Sequence, residues 1–214
     1  MVNLRHEPET VATPIVAYRQ CAPTNPPFWT APLDFVQPTQ PPARWNSRGE
    51  LAQYAALDVD AAWAELIRHE DLSADDVGDY RRSIWMLRIT EPRIANLSTF
   101  DLADQCGIEP PILIGDDHEP CRALRVELES AGFTGVLAPS AALPGALSIT
   151  LFGARTAAAP HEHPPARLRG TYVEASQIAE EALVPARLVA TTRRYGEAHA
   201  ALAAWQERAK PPQA

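Results

Sequence analysis

An arginine, a tyrosine and a glutamate at short spacing are the residues of this 214-residue chain best suited to chemistry. Arg44 is followed ten residues later by Tyr54, and Glu65 comes eleven residues after that. A guanidinium offers paired, planar donors to a phosphate and stays charged at any working pH. A tyrosine ring can stack on another ring, and a carboxylate stabilises nearby positive charge. Together, the three types are typical of a site for a phosphate-bearing ligand with a cationic ring.

The tyrosine is predicted to lie on a strand, Leu51–Leu57, that follows the loop carrying Arg44. Alternate residues of a strand face opposite sides of the sheet. Tyr54 therefore shares its face with Ala52 and Ala56, whose small side chains leave room for a ligand beside the ring.

The glutamate is predicted to lie on a helix that runs to about His69. Asp58 or Asp60 can cap this helix, because a carboxylate accepts a hydrogen bond from an unpaired N–H of the first turn. The residues three and four positions before Glu65 are alanines. Such neighbours suit a carboxylate that points into a crevice and equally suit a solvated one.

Each of the three residues also has an ordinary structural interpretation. An arginine after a loop is commonly a surface ion-pair partner, a strand tyrosine commonly packs in the core, and a helical glutamate is commonly solvated. Spacing alone leaves both interpretations open for Arg44, Tyr54 and Glu65.

Hydrophobic periodicity elsewhere predicts short strands mixed with helices, which is an α+β fold. The further strands are Ile15–Arg19, Ile84–Ile89, Ile94–Leu97, Gly135–Ala138 and Leu147–Phe152, with Leu188–Thr192 as a weaker candidate. The further helices are Asp75–Arg82, Thr99–Gln105, Glu119–Ala131, Val173–Leu183 and Gly196–Lys210.

Composition limits the classes of function. The net charge of −8 argues against direct binding to nucleic acid or to an anionic membrane surface, both of which need a positive field. No apolar run is long enough to cross a membrane, and the N-terminus has no apolar stretch of the kind found in secretory signals. Three widely spaced cysteines without a C-x-x-C pair favour a reducing compartment. We therefore expect a cytoplasmic protein.

Proline marks two irregular segments. The chain has 21 prolines, roughly twice the usual share, and seven of them lie between Cys21 and Ala43. Because proline lacks an N–H and restricts φ, residues 20–43 are predicted to form a loop. A second patch, Ala157–Pro165, is predicted to be a linker. The sequence thus predicts one domain over residues 1–155, followed by a proline-rich linker and a helical extension over residues 156–214.

Two groups of residues have the types that bind metals, but the sequence predicts no metal site. His161, Glu162 and His163 lie within the proline-rich linker without further ligands nearby, so a solvated linker is the favoured interpretation. Asp116 and Asp117 precede the helix Glu119–Ala131, where negative charge caps the first turn and favours the helix dipole.

Several motifs in order resemble the RES domain family. They are Tyr18-Arg19, then Arg44-Trp45-Asn46 with Gly49, then Tyr54, then Ala64-Glu65, then A-G-F-T-G-V-L-A-P-S-A from Ala131 to Ala141, and the apolar strand Leu147–Phe152. The resemblance spans about residues 15–153. It implies a fold similar to ADP-ribosyltransferases, built of short mixed strands with flanking helices. It also implies a bacterial toxin that consumes NAD and is blocked by an antitoxin with an Xre-type helix-turn-helix.

Carried over by position, the resemblance implies that Arg19, Arg44, Tyr54, Glu65 and Ser140 line an NAD site. Arg19 and Arg44 would hold the pyrophosphate, and Tyr54 would stack on a ring or bond a ribose. Glu65 would stabilise the positive charge that develops on the ribose as nicotinamide leaves. Ser140 would supply a hydroxyl to the substrate.

The chain departs from the family pattern just before Arg44. Pro42-Ala43 stands where members usually have Gly-Gly, and Ala142 follows Pro139-Ser140-Ala141 where many members have an arginine.

The resemblance implies cleavage of the nicotinamide–ribose bond of NAD by water or phosphate, with two alternatives. One is transfer of ADP-ribose to a protein, and the other is an inactive RES fold that serves only in interactions. For the residues after Arg155, a homodimer contact, a partner-binding arm and a decoration all stay open.

Overall fold

Eight strands of this chain form one mixed sheet, as seen in a computed structural model that describes residues 4–28, 41–160 and 171–209. The strands are β1 (Ile15–Cys21), β2 (Ala52–Ala56), β3 (Arg81–Ile89), β4 (Ile94–Asn96), β5 (Gly135–Pro139), β6 (Leu147–Phe152), β7 (Thr156–Ala158) and β8 (Tyr172–Leu183). The helices are α1 (Val59–His69), α2 (Phe100–Gln105), α3 (Pro110–Ile114), α4 (Glu119–Ser130) and α5 (Ala200–Ala209). The α+β prediction is confirmed.

The order across the sheet is β4-β5-β6-β2-β1-β3-β8-β7. Neighbours are antiparallel except for β4 with β5 and β7 with β8, which are parallel. The pairing of β1 with β3 continues over seven residues, whereas the register of β1 with β2 is one pair, Tyr18 with Ala56. The sheet therefore parts in its middle, between β1 and β2, where the first predicted site residues lie.

The predicted helix that carries Glu65 is confirmed as α1. Its N-cap is Asp58, whose carboxylate accepts a 2.6 Å hydrogen bond from the Ala61 N–H. Three alanines and three larger apolar residues make one side of α1 buried, and that side packs against β1 and β2. The helix is therefore held at the place where the sheet parts.

Strands β5 and β6 separate two apolar layers. Val136 and Ala138 pack with the helices α2, α3 and α4, whereas Leu137 between them packs with β1 and β3 on the other face. This alternation is what a strand buried on both faces requires. Leu124 and Leu128 of α4 are fully buried in the first layer, which confirms the apolar face predicted for that helix.

The segment after residue 155 differs from the sequence prediction. Residues 173–183 were expected to be helical because they are rich in Glu and Ala, both good helix formers. They instead form β8, which pairs antiparallel with β3 and parallel with β7. Pairing with the long neighbouring strand outweighs local helix propensity here, since strand formation depends mostly on its partners. Two strands of the sheet thus lie within the region predicted to be a linker and a helical extension.

Smaller corrections concern three other segments. Residues 74–79 form turns and not the predicted helix, and Arg81 already begins β3. The candidate strand Leu188–Thr192 is wrong, since Leu188 ends a 3₁₀ turn over Ala186–Leu188 and residues 189–192 form turns and a bend. The last helix begins at Ala200 and not near Gly196. Most of the proline-rich loop (29–40), with its Trp29 and Phe35, and residues 161–170 of the second proline-rich patch lie outside the described residues. Among the described residues, no helix is long and apolar enough to cross a bilayer.

Candidate active site

The parted sheet forms one wall of a cavity of about 600 Å³. Arg19 from β1, Tyr54 from β2, Glu65 from α1 and Arg44 from the loop before β2 all line it. The structure therefore brings four of the five predicted site residues to one space, although they are spread over about 50 positions of the chain. The fifth, Ser140, lies behind Glu65.

Arg19 occupies the gap between β1 and β2. Its Nη1 donates to Gln53 Oε1 at 3.0 Å and to the Tyr54 carbonyl at 3.1 Å. These contacts use only part of its five N–H donors. Burial lowers the pKa of Arg19 to about 10, an effect that the neighbouring Cys21 and Tyr54 partly offset. The side chain is therefore cationic at neutral pH and faces the cavity.

Arg44 is held by a loop that helix α4 fastens. The Arg44 Nη1 donates to the Gly115 carbonyl at 2.7 Å. On either side of it, Arg122 of α4 donates to the Ala43 carbonyl at 3.2 Å and Arg125 donates to the Trp45 carbonyl at 2.8 Å. Trp45 itself is 1% exposed. The position of the Arg44 guanidinium is thus set by a buried aromatic anchor and two arginines of α4.

The loop before Arg44 accommodates Pro42 and Ala43 without strain. Ala43 pairs with Asn46 through a 3.0 Å backbone hydrogen bond that closes the turn. Among the described non-glycine residues, the one with positive φ is Asp71, so Ala43 has a conformation open to any residue. Glycine is therefore not needed at position 43 for this loop to form.

Tyr54 uses its hydroxyl to hold the same loop. The oxygen accepts a 2.9 Å hydrogen bond from the Trp45 N–H and donates at 2.7 Å to Asn46 Oδ1. Burial raises the pKa of Tyr54 well above its usual value, so the phenol stays protonated. The ring, and not the hydroxyl, is therefore what Tyr54 presents to the cavity.

Glu65 is half-buried and is oriented by Ser140. The Ser140 hydroxyl donates to Glu65 Oε1 at 3.1 Å. Its oxygen also accepts the N–H groups of Ala142 and Leu143, at 3.2 and 3.1 Å. The one donor and both acceptor positions of the Ser140 hydroxyl are thereby used. The sequence-based role for Ser140 was a hydroxyl given to the substrate, whereas the structure uses that hydroxyl to position the carboxylate.

We expect Ser140→Ala to lower the free energy of unfolding by about 1–3 kcal/mol, because two enclosed N–H groups lose their acceptor. Urea unfolding of the two proteins measures the difference. Ser130→Ala is the matched control, since the Ser130 hydroxyl bonds only the Val126 carbonyl at an exposed position. Equal small losses for both variants would contradict the role given to Ser140.

A buried arginine one turn beyond Glu65 was missed by the sequence analysis. Arg68 is 2% exposed, and its guanidinium donates to the carbonyls of Ala141 and Arg193, at 3.0 and 3.2 Å. It also donates to Asp116 Oδ1 at 2.5 Å, and Arg193 lies 3.1 Å from the same oxygen. Arg68 follows Glu65 by three positions, so the two residues share one face of the helix. This spacing was the one local signal in the sequence that Arg68 belongs to the site.

The two aspartates before α4 have separate roles. Asp117 Oδ1 accepts the Glu119 N–H at 3.0 Å, which pairs the first N–H of α4, but the N-cap residue of this helix is His118 and not an aspartate as predicted, because α4 begins two residues after Asp117. Asp116 binds Arg68 and, through Oδ2, the Gly196 N–H at 2.6 Å. In the described part of the chain, no group of three or more metal-ligating side chains comes together. His161, Glu162 and His163 lie outside the described residues.

Asp116 should make the stability of the fold depend on pH. Its partial burial would raise its pKa, but the Gly196 N–H, Arg68 and Arg193 outweigh that and hold the pKa below its usual range. A depressed folded-state pKa stabilises the fold fully above the unfolded value of about 3.9, and the benefit is lost as pH falls through the folded value. We therefore expect the stability difference between wild type and Asp116→Asn to be larger at about pH 7 than at about pH 3. An equal difference at both values would contradict this role.

His118 was also missed, and it lines the cavity beside Arg44. Burial, together with the positive charges of Arg44, Arg122 and Arg68, lowers the pKa of His118 to about 4, although Asp116 opposes the effect. Its Nε2 is enclosed and has no hydrogen-bond partner. The imidazole is therefore neutral at physiological pH, in a region whose field is positive.

The segment from Thr192 to His199 closes the site from behind. The Arg193 N–H donates to the Ala142 carbonyl at 2.8 Å, and His199 Nε2 lies 3.0 Å from the Ser140 carbonyl. Tyr195 lines the cavity. Residues well beyond the stretch that resembles the RES family thus complete the candidate site.

Comparisons with known proteins agree with this architecture. A family model described as RES domain matches residues 16–172. A probable NAD(+) phosphorylase of Mycobacterium tuberculosis (strain ATCC 25618 / H37Rv) is 32% identical over 123 residues, which are 55% of this chain and 56% of that protein. The chain therefore matches little more than half the length of this curated relative.

A solved structure is similar in fold. One chain of the crystal structure of the M. tuberculosis MbcT–MbcA toxin–antitoxin complex superposes with a TM-score of 0.53 and 18% identity, over 80% of this chain and 87% of that one. At this identity the likeness concerns the fold alone. The family model, by contrast, covers most of the chain, from β1 to the first residue of β8, and this protein belongs to the RES domain family.

Proposed function

We propose that this protein cleaves the nicotinamide–ribose bond of NAD and acts as the toxin of a toxin–antitoxin pair. The observation that carries the proposal is the cavity in which Glu65 meets two arginines, Arg19 and Arg44, and the ring of Tyr54. Membership of the RES family and the name of the curated relative, a probable NAD(+) phosphorylase, support NAD as the substrate.

The charges in the cavity suit this reaction. Nicotinamide leaves as a neutral ring from a cationic one, so positive charge builds up on the ribose in the transition state. The Glu65 carboxylate, held by Ser140, would stabilise that charge or orient a ribose hydroxyl. Arg19 and Arg44 would bind the pyrophosphate, since guanidinium groups match the geometry of phosphate oxygens. The Tyr54 ring would lie against the nicotinamide or the adenine.

Phosphate is the acceptor that the comparison favours, because the curated relative is named as a phosphorylase. The positive field around His118, which Arg44, Arg68 and Arg122 create, would also favour an anionic acceptor over water. Hydrolysis by water and transfer of ADP-ribose to a protein are the alternatives. An inactive RES fold is now less favoured as an alternative, since Pro42-Ala43 leaves the Arg44 loop closed and unstrained.

The assay is release of nicotinamide from NAD by the purified protein, with and without inorganic phosphate. The expected product is ADP-ribose that carries the phosphate on the ribose carbon from which nicotinamide left, and it should form only when phosphate is present. ADP-ribose formed equally without phosphate would favour hydrolysis, and labelling of an added protein would favour transfer. No release under any of these conditions would refute the enzymatic proposal.

The proposed partner is an antitoxin protein that covers the cavity. The fold match to a chain of a toxin–antitoxin complex supports a partner of this kind, and the Xre-type helix-turn-helix rests on the family resemblance alone. Co-expression with the product of a neighbouring gene, followed by the NAD assay, tests it: a stable complex without activity is expected. Light scattering of the isolated chain would reveal a homodimer if residues 156–214 form one.

A further inference from the structure

We infer that Tyr195 is a substrate-binding residue that stacks on the adenine of the dinucleotide. The inference rests on the proposed function, since NAD is the substrate named there. Tyr195 lies outside the residues that the RES family model matches, 16–172. It nevertheless lines the same cavity as Glu65 and Arg44. The C-terminal part of this chain would thus supply a specificity element that the family motifs do not contain.

The exposure of Tyr195 is the first observation. Tyr195 is 51% exposed, one of the few large apolar side chains of the described residues to be so. A half-exposed aromatic ring at a cavity wall offers one open face, and purine rings stack well on such faces.

The support beneath the ring is the second observation. The guanidinium carbon of Arg68 lies 4.1 Å from the centre of the Tyr195 ring. Arg68 is itself buried and held by the Ala141 and Arg193 carbonyls and by Asp116. A cation fixed under one face attracts the ring and keeps it in place. The ring is therefore positioned before any ligand binds, which lowers the entropic cost of stacking.

The backbone on both sides of Tyr195 is fixed as well. The Arg193 N–H bonds the Ala142 carbonyl, and the Gly196 N–H bonds Asp116 Oδ2 at 2.6 Å. Gly196 has φ of +83°, a conformation that glycine adopts without strain. The chain turns at Gly196, so Tyr195 lines the cavity while Arg193 and Gly196 are bonded to Ala142 and Asp116.

Charge distinguishes the two rings of the substrate. The nicotinamide ring of NAD carries a positive charge, and a stack on Tyr195 would bring it close to the Arg68 guanidinium on the far face. Adenine is neutral and meets no such repulsion. Glu65, one turn before Arg68 on α1, is the group that suits the cationic end of the substrate. The structure therefore assigns adenine to Tyr195.

The test combines binding and turnover. Tyr195→Ala should raise the Kd for ADP-ribose, measured by calorimetry, and the KM for NAD by about 10-fold, the effect expected when one aromatic–base stack is lost. Tyr195→Phe should restore both values. Cleavage of nicotinamide mononucleotide, which lacks adenine, should be unchanged in Tyr195→Ala. Tyr80→Ala is the matched control, since an arginine, Arg82, also packs on the Tyr80 ring at 4.9 Å, and Tyr80 itself does not line the cavity, although Arg82 does.

Two results would overturn the assignment. Equal losses with NAD and with nicotinamide mononucleotide would place the ring at the nicotinamide end or give it a merely structural role. Unchanged ADP-ribose binding in Tyr195→Ala would exclude the stack. Because the calorimetric measurement needs no turnover, ADP-ribose binding that depends on Tyr195 in a protein that fails to cleave NAD would refute the proposed function and leave this inference standing. Absence of ADP-ribose binding by the wild type would overturn the inference.

Discussion

Replacing Glu65 by glutamine is expected to lower kcat for nicotinamide release from NAD by about 10²- to 10³-fold, the range found when one preorganised electrostatic group is removed from an active site. The amide keeps the shape of the side chain and can still accept the Ser140 hydrogen bond. The variant loses the negative charge that would stabilise the developing oxocarbenium ion. KM for NAD should change little, because the substrate contacts of Arg19 and Arg44 remain.

The matched control is Glu70→Gln, the same change on a residue of the same cavity wall. Glu70 lies at the exposed C-terminal end of α1 and should be dispensable. Steady-state assays of both variants, with thermal unfolding to verify that each is folded, separate the two carboxylates. Full activity in Glu65→Gln would show that Glu65 has no catalytic charge role. Equal losses in both variants would point to the general field of the cavity instead.

Arg68→Met is expected to lower the free energy of unfolding by about 3 kcal/mol, the low end of the range for breaking a buried ion pair. Arg68 is 2% exposed, so its loss leaves the Arg193 carbonyl without this donor and leaves the Ala141 carbonyl with the longer, 3.4 Å hydrogen bond from Arg193. Asp116 keeps Arg193 and the Gly196 N–H, and its side chain is 30% exposed, which limits the cost. Denaturant unfolding measures the difference.

Arg187→Met provides the comparison for Arg68→Met. Arg187 also pairs with an aspartate, Asp60, through two contacts of 2.7 Å, but this pair is on the surface. Exposed pairs contribute little because water and salt screen them. A large effect of Arg68→Met beside a small effect of Arg187→Met is the expected pattern. Similar small effects would mean that Arg68 does not hold the C-terminal segment to the site.

Glu65→Gln and Arg68→Met bear on one property of the molecule, namely that the candidate site depends on residues that come late in the chain. Arg68, one turn after Glu65, binds the backbone at Ala141 and at Arg193 together. Ser140, which orients Glu65, lies next to the first of these and has His199 on its carbonyl. Loss of Arg68 would therefore loosen the support of Glu65 and of Tyr195 at once.

The local parts of the site were predictable from the sequence. The helix of Glu65 was predicted to be capped by Asp58 or Asp60 and to run to about His69, and it is capped by Asp58 and ends at His69. The strand of Tyr54 was predicted from alternation and lies within the predicted bounds as β2. These features depend on residues within a few positions of each other, where periodicity and capping carry the information.

Two kinds of feature could not be predicted in this way. Residues 173–183 have a helical composition and form β8 because β3 lies beside them. Ser140 was expected to give its hydroxyl to the substrate, and Tyr54 was expected either to stack on a ring or to bond a ribose. In the structure the Tyr54 hydroxyl bonds the Arg44 loop and the Ser140 hydroxyl bonds Glu65. Which partner a hydroxyl finds depends on the atoms that the fold brings near it, and these are not encoded locally.

By itself, the sequence determined the family of this protein and the order in which Arg19, Arg44, Tyr54, Glu65 and Ser140 occur, since motifs and periodicity are local properties. Only the tertiary structure decided that β1 and β2 part after one pair, so that a cavity forms where four of these residues meet. It also decided that Ser140 reaches Glu65 across 75 positions and that Arg68 joins α1 to the C-terminal segment. The physical reason is that buried charges and hydroxyls must find partners, and the sheet register determines which partners are within reach.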